Sequence, residues 1–276
     1  MEKTELLIDA LNYIKSFKNQ IFVVKMGSEV TSKPEVLDAV AQDLVLLDFL
    51  GIHPVVVHGG GVEISDEMKK QGKQPVFIKG LRVTDKETIL IVQKVFRKIN
   101  ERIAGQVKSK GGNAVSLPKE NQTLFHAEKK KSEVDIGYVG EVEKINSGII
   151  LSEAKKNKIP IASSIGRNKE GMPMNINADT AASELAAALK ASKIIFMTDV
   201  QGVLDQNKKL IKTLTTRQAE KLIEDKTASG GMIPKLKACM HALDKKVKSA
   251  HIIKAGGHAL LEEILTKEGT GTMITG

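Results

Sequence analysis

Two short apolar runs, each ending in glycines and separated by one helical segment, constrain this chain more than any other feature. Ile21-Phe-Val-Val-Lys25 is rich in β-forming residues and leads into Gly27, and Pro54-Val-Val-Val-His58 leads into Gly59-Gly60-Gly61. Between them Val36, Val40, Leu44 and Leu47 recur at helical spacing over residues 34–50, before Gly51. Strand, helix and strand in that order make a βαβ unit, with parallel strands and a right-handed crossover.

The pattern returns further on. Ile159-Pro-Ile-Ala162 and Lys193-Ile-Ile-Phe-Met-Thr198 read as buried strands around residues 180–190, which are rich in helix formers. Pro234 stands where a first helical turn accepts it, and Leu236, Met240, Leu243 and Val247 form a stripe ahead of the strand Ala250-His-Ile-Ile-Lys254. The expected fold is α/β, a three-layer αβα sandwich around a mainly parallel central sheet. Over residues 105–150 turn residues break up short strands such as Thr123-Leu-Phe-His126, and hairpins flanking a cleft are predicted there. No Pro-, Gly- or Ser-rich linker and no internal repeat divides the chain, so one domain with two lobes is expected over residues 1–276.

Charge narrows the ligands. A formal net charge of +9 suits anionic partners, small molecule or nucleic acid alike. With no Trp, two Tyr and no interleaving of aromatic with basic residues, stacking platforms for nucleic acid are not supported. The tract Glu128-Lys129-Lys130-Lys131 reads as a solvated turn. The single cysteine, Cys239, permits no internal disulfide or cysteine-rich metal site and reads as a small core residue. No apolar run reaches the length of a membrane span, and Met1-Glu-Lys-Thr-Glu5 lacks the layout of a signal peptide, so a cytoplasmic protein with no membrane partner is expected.

Four elements carry the chemistry. Lys25-Met-Gly27-Ser28 and His58-Gly59-Gly60-Gly61 lie after the two strands, where glycines let backbone N–H groups approach an anion, although each is also compatible with a plain tight turn. Neither fits the phosphate-loop or the dinucleotide pattern. Lys25, ending a strand, and Lys235, opening a helix after Gly230-Gly231-Met-Ile-Pro234, can both project into a cleft at the carboxyl end of the sheet, where ligands bind such folds; a solvated position is the alternative. Arg82, in Gly80-Leu-Arg82-Val-Thr84, can grip a carboxylate through two parallel hydrogen bonds or make a surface salt bridge. Asn175-Ile-Asn177-Ala-Asp179 opens the Ala-rich helix; a cap needs one of these residues, and three polar groups at alternate positions suggest a shared site.

In order and spacing, these elements resemble the N-acetylglutamate kinases of the amino acid kinase family. The likeness rests on Lys25-Met-Gly27, Val57-His58-Gly59-Gly60-Gly61, Gly80-Leu-Arg82-Val-Thr84, Asn175-Ile-Asn177-Ala-Asp179, Thr198-Asp-Val-Gln-Gly202-Val203 and Gly230-Gly231-Met-Ile-Pro-Lys235, and extends to Gly269-Thr-Gly271-Thr-Met-Ile. It implies transfer of the ATP γ-phosphoryl group to the side-chain carboxylate of N-acetyl-L-glutamate, a step of arginine biosynthesis, with Mg²⁺ entering with ATP and no metal site on the protein. By this resemblance Lys25 and Lys235 offset charge on the phosphoryl group, helped by backbone N–H groups around Gly27 and Gly60, and Asp179 orients both lysines. Arg82 and Asn175, with Gly60 and Gly61, hold the acceptor. Gly27, Ser28, Thr198, Asp199, Val200, Gln201, Gly202, Val203, Thr227, Ala228 and Ser229 border the nucleotide. The implied lobes are about 20–175 for acetylglutamate binding and dimerisation and about 176–276 for ATP.

Two departures stand out. Ser28 replaces a second glycine, and its side chain crowds a phosphate unless φ there is negative; Ser28→Gly is predicted to keep or improve activity. Ile253-Lys-Ala-Gly-Gly-His258 replaces an Asp-Gly-Arg run near the family's regulatory arginine pocket, for which L-arginine is the candidate effector, with Tyr13 nearby. Residues 4–18 read as a helix with Leu7, Leu11 and Ile14 on one face, widened by Leu6, Ala10 and Phe17. In the family such helices interlace dimers into a hexamer, a trimer of dimers, which is the expected assembly. A sister kinase for another acidic amino acid, including a carrier-linked aminoadipate, and a catalytically weak nucleotide or amino acid sensor are the rival readings.

Overall fold

The computed structural model describes the backbone of residues 3–267 and 269–276, and all their side chains except those of residues 3–7 and 9, so Leu6 and Leu7 of the expected stripe lie outside the described side chains. The chain opens with α1 (Lys3–Phe17), β1 (Ile21–Met26), α2 (Ser28–Thr31), α3 (Pro34–Phe49), β2 (His53–His58) and α4 (Gly61–Lys70). The middle holds β3 (Phe77–Ile78), β4 (Leu81–Arg82), α5 (Lys86–Ser109), β5 (Ala114–Leu117), β6 (Phe125–Lys129), β7 (Val139–Ile145) and α6 (Ser147–Ala154). Then come β8 (Ile159–Ser163), β9 (Ile165–Arg167), β10 (Pro173–Ile176), α7 (Ala178–Ala188), β11 (Lys193–Thr198), β12 (Thr213–Thr215) and α8 (Thr216–Glu224). Last are α9 (Met232–Asp244), β13 (Ser249–Lys254), α10 (Ala259–Leu265) and β14 (Thr272–Thr275).

Eight strands form the central sheet in the order β12-β14-β13-β11-β1-β2-β8-β5, parallel throughout except for the β13–β14 pair. Alternation along each strand decides which layer a side chain joins. Val23, Val55, Val57 and Phe196 pack with Leu185 of α7 and Leu236 of α9 on one face. Phe22, Val24, Val56 and Ile195 pack with Leu44 of α3 and Ile99 of α5 on the other. Both faces of β1 and β2 are therefore covered, which is why these strands read as continuous apolar runs. Local signals start the helices: Pro34 opens α3, the Asp85 side chain accepts the Thr88 N–H to cap α5, and Thr215 with Gln218 forms a capping box at α8.

The middle differs from the hairpins expected over 105–150. Ser109 ends the long helix α5, and β5 is an edge strand of the central sheet, paired parallel to β8; only β6 and β7 form a hairpin, with a bulge between His126 and Ala127. The short strand β5 adds to a sheet edge built by residues far along the chain, which local turn chemistry does not reveal. Strands β6, β7, β9 and β10 each pair with two others and close a small barrel. Glu128 and Lys129 of the tract belong to β6, paired with Glu141 and Gly140 of β7, rather than to a turn; Glu128 also pairs with Lys169 at 2.8 Å and Lys130 with Glu141 at 3.1 Å. Such exposed pairs contribute only about 0–1 kcal/mol each.

Helix α1 docks by its C-terminal end, where the Phe17 ring meets Phe22 edge-on at 5.2 Å and stacks on Tyr13 at 6.4 Å. Ile8 and Leu11, by contrast, are 55% and 50% exposed. Among the described residues no helix is long and apolar enough to cross a membrane.

Candidate active site

Asp179 is the centre of the cleft. It sits in the first turn of α7, which begins where the barrel strand β10 returns to the sheet, and the Asn177 side chain caps that helix by accepting the N–H groups of Asp179 and Thr180 at 2.9 and 3.1 Å. The three polar residues thus divide their work: Asn177 caps, Asp179 carries charge, and Asn175 donates through Nδ2 to Thr84 Oγ1 at 3.1 Å.

Both lysines reach Asp179. Lys25, from the end of β1, places Nζ 3.0 Å from Oδ1, and Lys235, from the first turn of α9, donates to Oδ2 at 3.1 Å. The side chains of Lys25 and Asp179 are each 8% exposed, and that of Lys235 is 14% exposed. Burial disfavours charge on both Lys25 and Asp179, but their mutual attraction outweighs it. The Lys25 ammonium is held above its ordinary value by Asp179 and by Glu29, and the Asp179 carboxyl is held below its own by Lys25 and Lys235. The result is a compact pair of cations fixed on one anion, at the carboxyl ends of β1 and β11.

Two cavities meet there. One, of about 620 Å³, is lined by Lys25, Gly27, Gly60, Gly61, Arg82 and Asn175, and the other, of about 690 Å³, by Thr198, Asp199, Val200, Ser229 and Lys235. Ser28, Glu29 and Val62 form the wall they share. At Gly60 a Cβ would lie 2.7 Å from Ile99 Cδ1, so glycine lets this loop approach α5 without shifting that side chain.

Arg82 is placed by the two-residue turn between β3 and β4, in which Lys79 and Gly80 both take positive φ, at 49° and 79°. Its guanidinium stacks over Phe77 at 4.7 Å and donates to the Gly61 carbonyl at 2.6 Å and to Ser65 Oγ at 2.8 Å. Among the described residues Arg82 forms no ion pair with an acid, so the surface salt bridge is not what the structure holds. A buried guanidinium with neutral partners at a cleft wall is suited to an incoming carboxylate.

The remaining positions split. Gly202 and Val203 lie against the last strand, with the Val203 N–H bonded to Thr272 Oγ1 at 2.9 Å. The Ala228 N–H bonds to the Leu222 carbonyl at 2.8 Å, and that of Thr227 to Asp225 Oδ1 at 3.0 Å. These four residues do not line the second cavity, and neither does Gln201, which is exposed next to Val200. Ser28 has negative φ in α2, so its side chain does not crowd the loop, and its hydroxyl is engaged with Glu63 at 2.8 Å. Sequence reasoning missed Glu29, Glu63 and Ser65. Ser65 carries a faint signal, one turn after Gly61, whose carbonyl it also bonds at 2.8 Å.

Residues 20–254 match the amino acid kinase family. The chain belongs to that family. This amino acid kinase is 44% identical to an acetylglutamate kinase of Methanococcus vannielii, over 99% of this chain and 98% of that one, and 42% identical to an acetylglutamate kinase of Methanothrix thermoacetophila, over 100% and 99%. In fold it is similar to a solved N-acetylglutamate synthase of Neisseria gonorrhoeae complexed with coenzyme A and N-acetyl-glutamate, with a TM-score of 0.91 and 23% identity; the kinase spans 64% of that synthase.

Proposed function

We propose that this kinase transfers the γ-phosphoryl group of ATP to the side-chain carboxylate of N-acetyl-L-glutamate, giving N-acetyl-L-glutamyl 5-phosphate and ADP in arginine biosynthesis. The observation that carries the reading is the Lys25–Asp179–Lys235 cluster at the junction of two cavities that share a wall of Ser28, Glu29 and Val62. An acceptor carboxylate oxygen attacks the γ-phosphorus, a new O–P bond forms, and the bond to the β-phosphate oxygen breaks. The carboxylate is ionised at neutral pH, so no general base is needed. Charge stabilisation and alignment are the protein's contribution. Lys25 and Lys235 offset the charge on the oxygens in flight, and Asp179 fixes both.

Gly60, Gly61, Asn175 and Arg82 form the acceptor side, within the lobe of about 20–175. Thr198, Asp199, Val200 and Ser229, with Ser28 of the shared wall, border the nucleotide side; Gly27 lines the first cavity, and Gln201, Gly202, Val203, Thr227 and Ala228 flank the nucleotide-side residues in sequence. A Mg²⁺ ion fits the donor chemistry of this wall: Glu29 Oε1 is enclosed without a hydrogen-bond partner, beside Lys25. Such an ion, bound by Glu29 and the nucleotide phosphates, would supply further charge neutralisation. Turnover with ATP and a panel of acidic acceptors tests the reading. N-acetyl-L-glutamate is expected to be the preferred acceptor; preference for another acidic amino acid or a carrier-linked aminoadipate, or binding without turnover, would contradict it.

Arg82→Lys is expected to raise KM for the acceptor strongly and KM for ATP little, because lysine keeps the charge and loses the planar fork. Steady-state kinetics with each substrate varied checks this, and a defect confined to ATP would move Arg82 to the nucleotide side.

The assembly we propose is a hexamer of three dimers, since Ile8 and Leu11 leave an apolar face of α1 uncovered in the single chain. Deleting residues 1–18 is expected to give an active dimer by light scattering; an intact hexamer would refute the role of the helix, and an insoluble product would favour its packing onto its own domain, where Phe17 meets Phe22. L-arginine is the proposed effector. A cavity of about 520 Å³ is lined by Tyr13, Phe17, Lys193 and Glu263, whose carboxylate is engaged by His251 and by the N–H groups of Thr270 and Gly271. Burial would raise Glu263, yet His251 and the N–H groups of Gly271 and Thr270 hold it below the usual carboxylate range. The segment that departs from the family's run is anchored to α3, with His258 Nδ1 at 2.5 Å from Asp43 Oδ1.

A further inference from the structure

One carboxylate ties the two glycine loops together. Ser28 Oγ donates to Glu63 Oε2 at 2.8 Å, Thr31 Oγ1 donates to Glu63 Oε1 at 2.5 Å, and the Val62 N–H donates to Ser28 Oγ at 3.2 Å. Arg102 of α5 adds an ion pair to Glu63 Oε1 at 3.2 Å. Ser28 and Thr31 are the two ends of α2, the turn that follows Gly27, and Val62 and Glu63 lie in the first turn of α4, after Gly60. The cluster therefore bridges the loop after β1, the loop after β2 and the long helix behind them.

The Glu63 side chain is only 17% exposed. Burial would raise its carboxyl, but the hydroxyls of Thr31 and Ser28 outweigh burial and hold it below the ordinary glutamate value, so these are charge-assisted hydrogen bonds. They fix two loops whose glycines give them intrinsic freedom. Ser28 of the first loop and Val62 of the second both stand in the wall between the two cavities, so in the proposed reaction the separation of the loops affects the in-line distance. Misplacement by about 1 Å costs about a hundredfold in rate.

Resting on the kinase reading above, we infer that Glu63 is a positioning residue that sets the spacing of the two anion loops through Ser28 and Thr31. The serine that replaces a second glycine is then part of a bridge, and the prediction that Ser28→Gly keeps or improves activity is reversed. The plain alternative is an acid in the first turn of α4 that offsets Arg102 and the helix dipole. That role affects stability and leaves Ser28 uninvolved.

The test is a double-mutant cycle on the full chain with Ser28→Gly, Glu63→Ala and both, together with Ser28→Thr. Glu63→Ala is expected to lower kcat about tenfold to a hundredfold, with each KM changed less than about threefold. Ser28→Gly is expected to lower kcat in the same manner, Ser28→Thr to restore it, and the double variant to be no slower than Glu63→Ala alone. Amide hydrogen exchange over residues 27–33 is expected to quicken in both single variants, a readout independent of any acceptor. Additive losses, or a lowered Tm with unchanged kcat, would overturn the bridge. So would a Ser28→Gly defect that Glu63→Ala does not share, since Ser28 would then act on phosphate directly. Wild-type protein with no turnover of N-acetyl-L-glutamate would sink the kinase reading instead, and the exchange rates would still decide the bridge.

Discussion

Lys235→Ala and Lys25→Ala are each expected to lower kcat by about two or more orders of magnitude, the scale on which removal of a preorganised donor to developing charge is felt. The two need not respond alike in stability. Lys25 is the more deeply buried, and its loss opens space beside β1, whereas Lys235 approaches from the edge of the cleft. KM for both substrates should change less than kcat, because the charge these lysines meet is largest in the transition state. Stopped or coupled assays of ADP formation check the expectation. A variant retaining more than about a tenth of wild-type kcat would show that its lysine does not stabilise the phosphoryl group.

Asp179→Asn should have an effect of similar size by a different route. The amide keeps the shape and removes the charge, leaving two buried ammonium groups to repel. Breaking a buried pair by removing one partner typically costs about 3–5 kcal/mol. The sign of the pH dependence follows from the shifts. Lys25 is raised by Asp179, so the stability from its pairing is complete below the unfolded lysine value and is lost as pH rises through the folded one. Asp179 is depressed, so its contribution is present above the unfolded carboxylate value and is lost as pH falls through the folded one. In Asp179→Asn, burial acts on Lys25 with less opposition, and the alkaline limb of the pH–rate profile is expected to move to lower pH. An unmoved limb would mean that Asp179 does not govern Lys25.

Strand runs such as β1, β2, β8 and β11 were legible because both of their faces are covered, which leaves a continuous apolar run in the sequence. Lys25 and Lys235 were legible as cleft residues because each lies at an element end beside glycines. The cap and the charge of Asn177 and Asp179 were not separable before the structure, since both residue types serve either purpose at a helix start. Helix α5 stands outside the sequence reading although Ile89, Val92, Phe96, Ile99 and Ile103 repeat at helical spacing. Its β-branched residues suit a strand as well, and buried Asn100 interrupts the apolar stripe. Glu63 was illegible for another reason. Its partners Ser28 and Thr31 are 35 and 32 positions away, and only the packing of α2 against α4 brings them together. Arg82 could be told from a surface salt bridge only once its partners proved neutral.

The most direct measurement follows an oxygen atom. N-acetyl-L-glutamate carrying ¹⁸O in its side-chain carboxylate is incubated with the kinase and MgATP in unlabelled water, and the product is trapped with hydroxylamine. Attack of hydroxylamine at the carbonyl carbon releases phosphate together with the former bridging oxygen. If a carboxylate oxygen attacks the γ-phosphorus, the released phosphate carries ¹⁸O and the hydroxamate forms in equal amount. Unlabelled phosphate without hydroxamate would mean that water, not the acceptor carboxylate, takes the phosphoryl group, and would contradict the account.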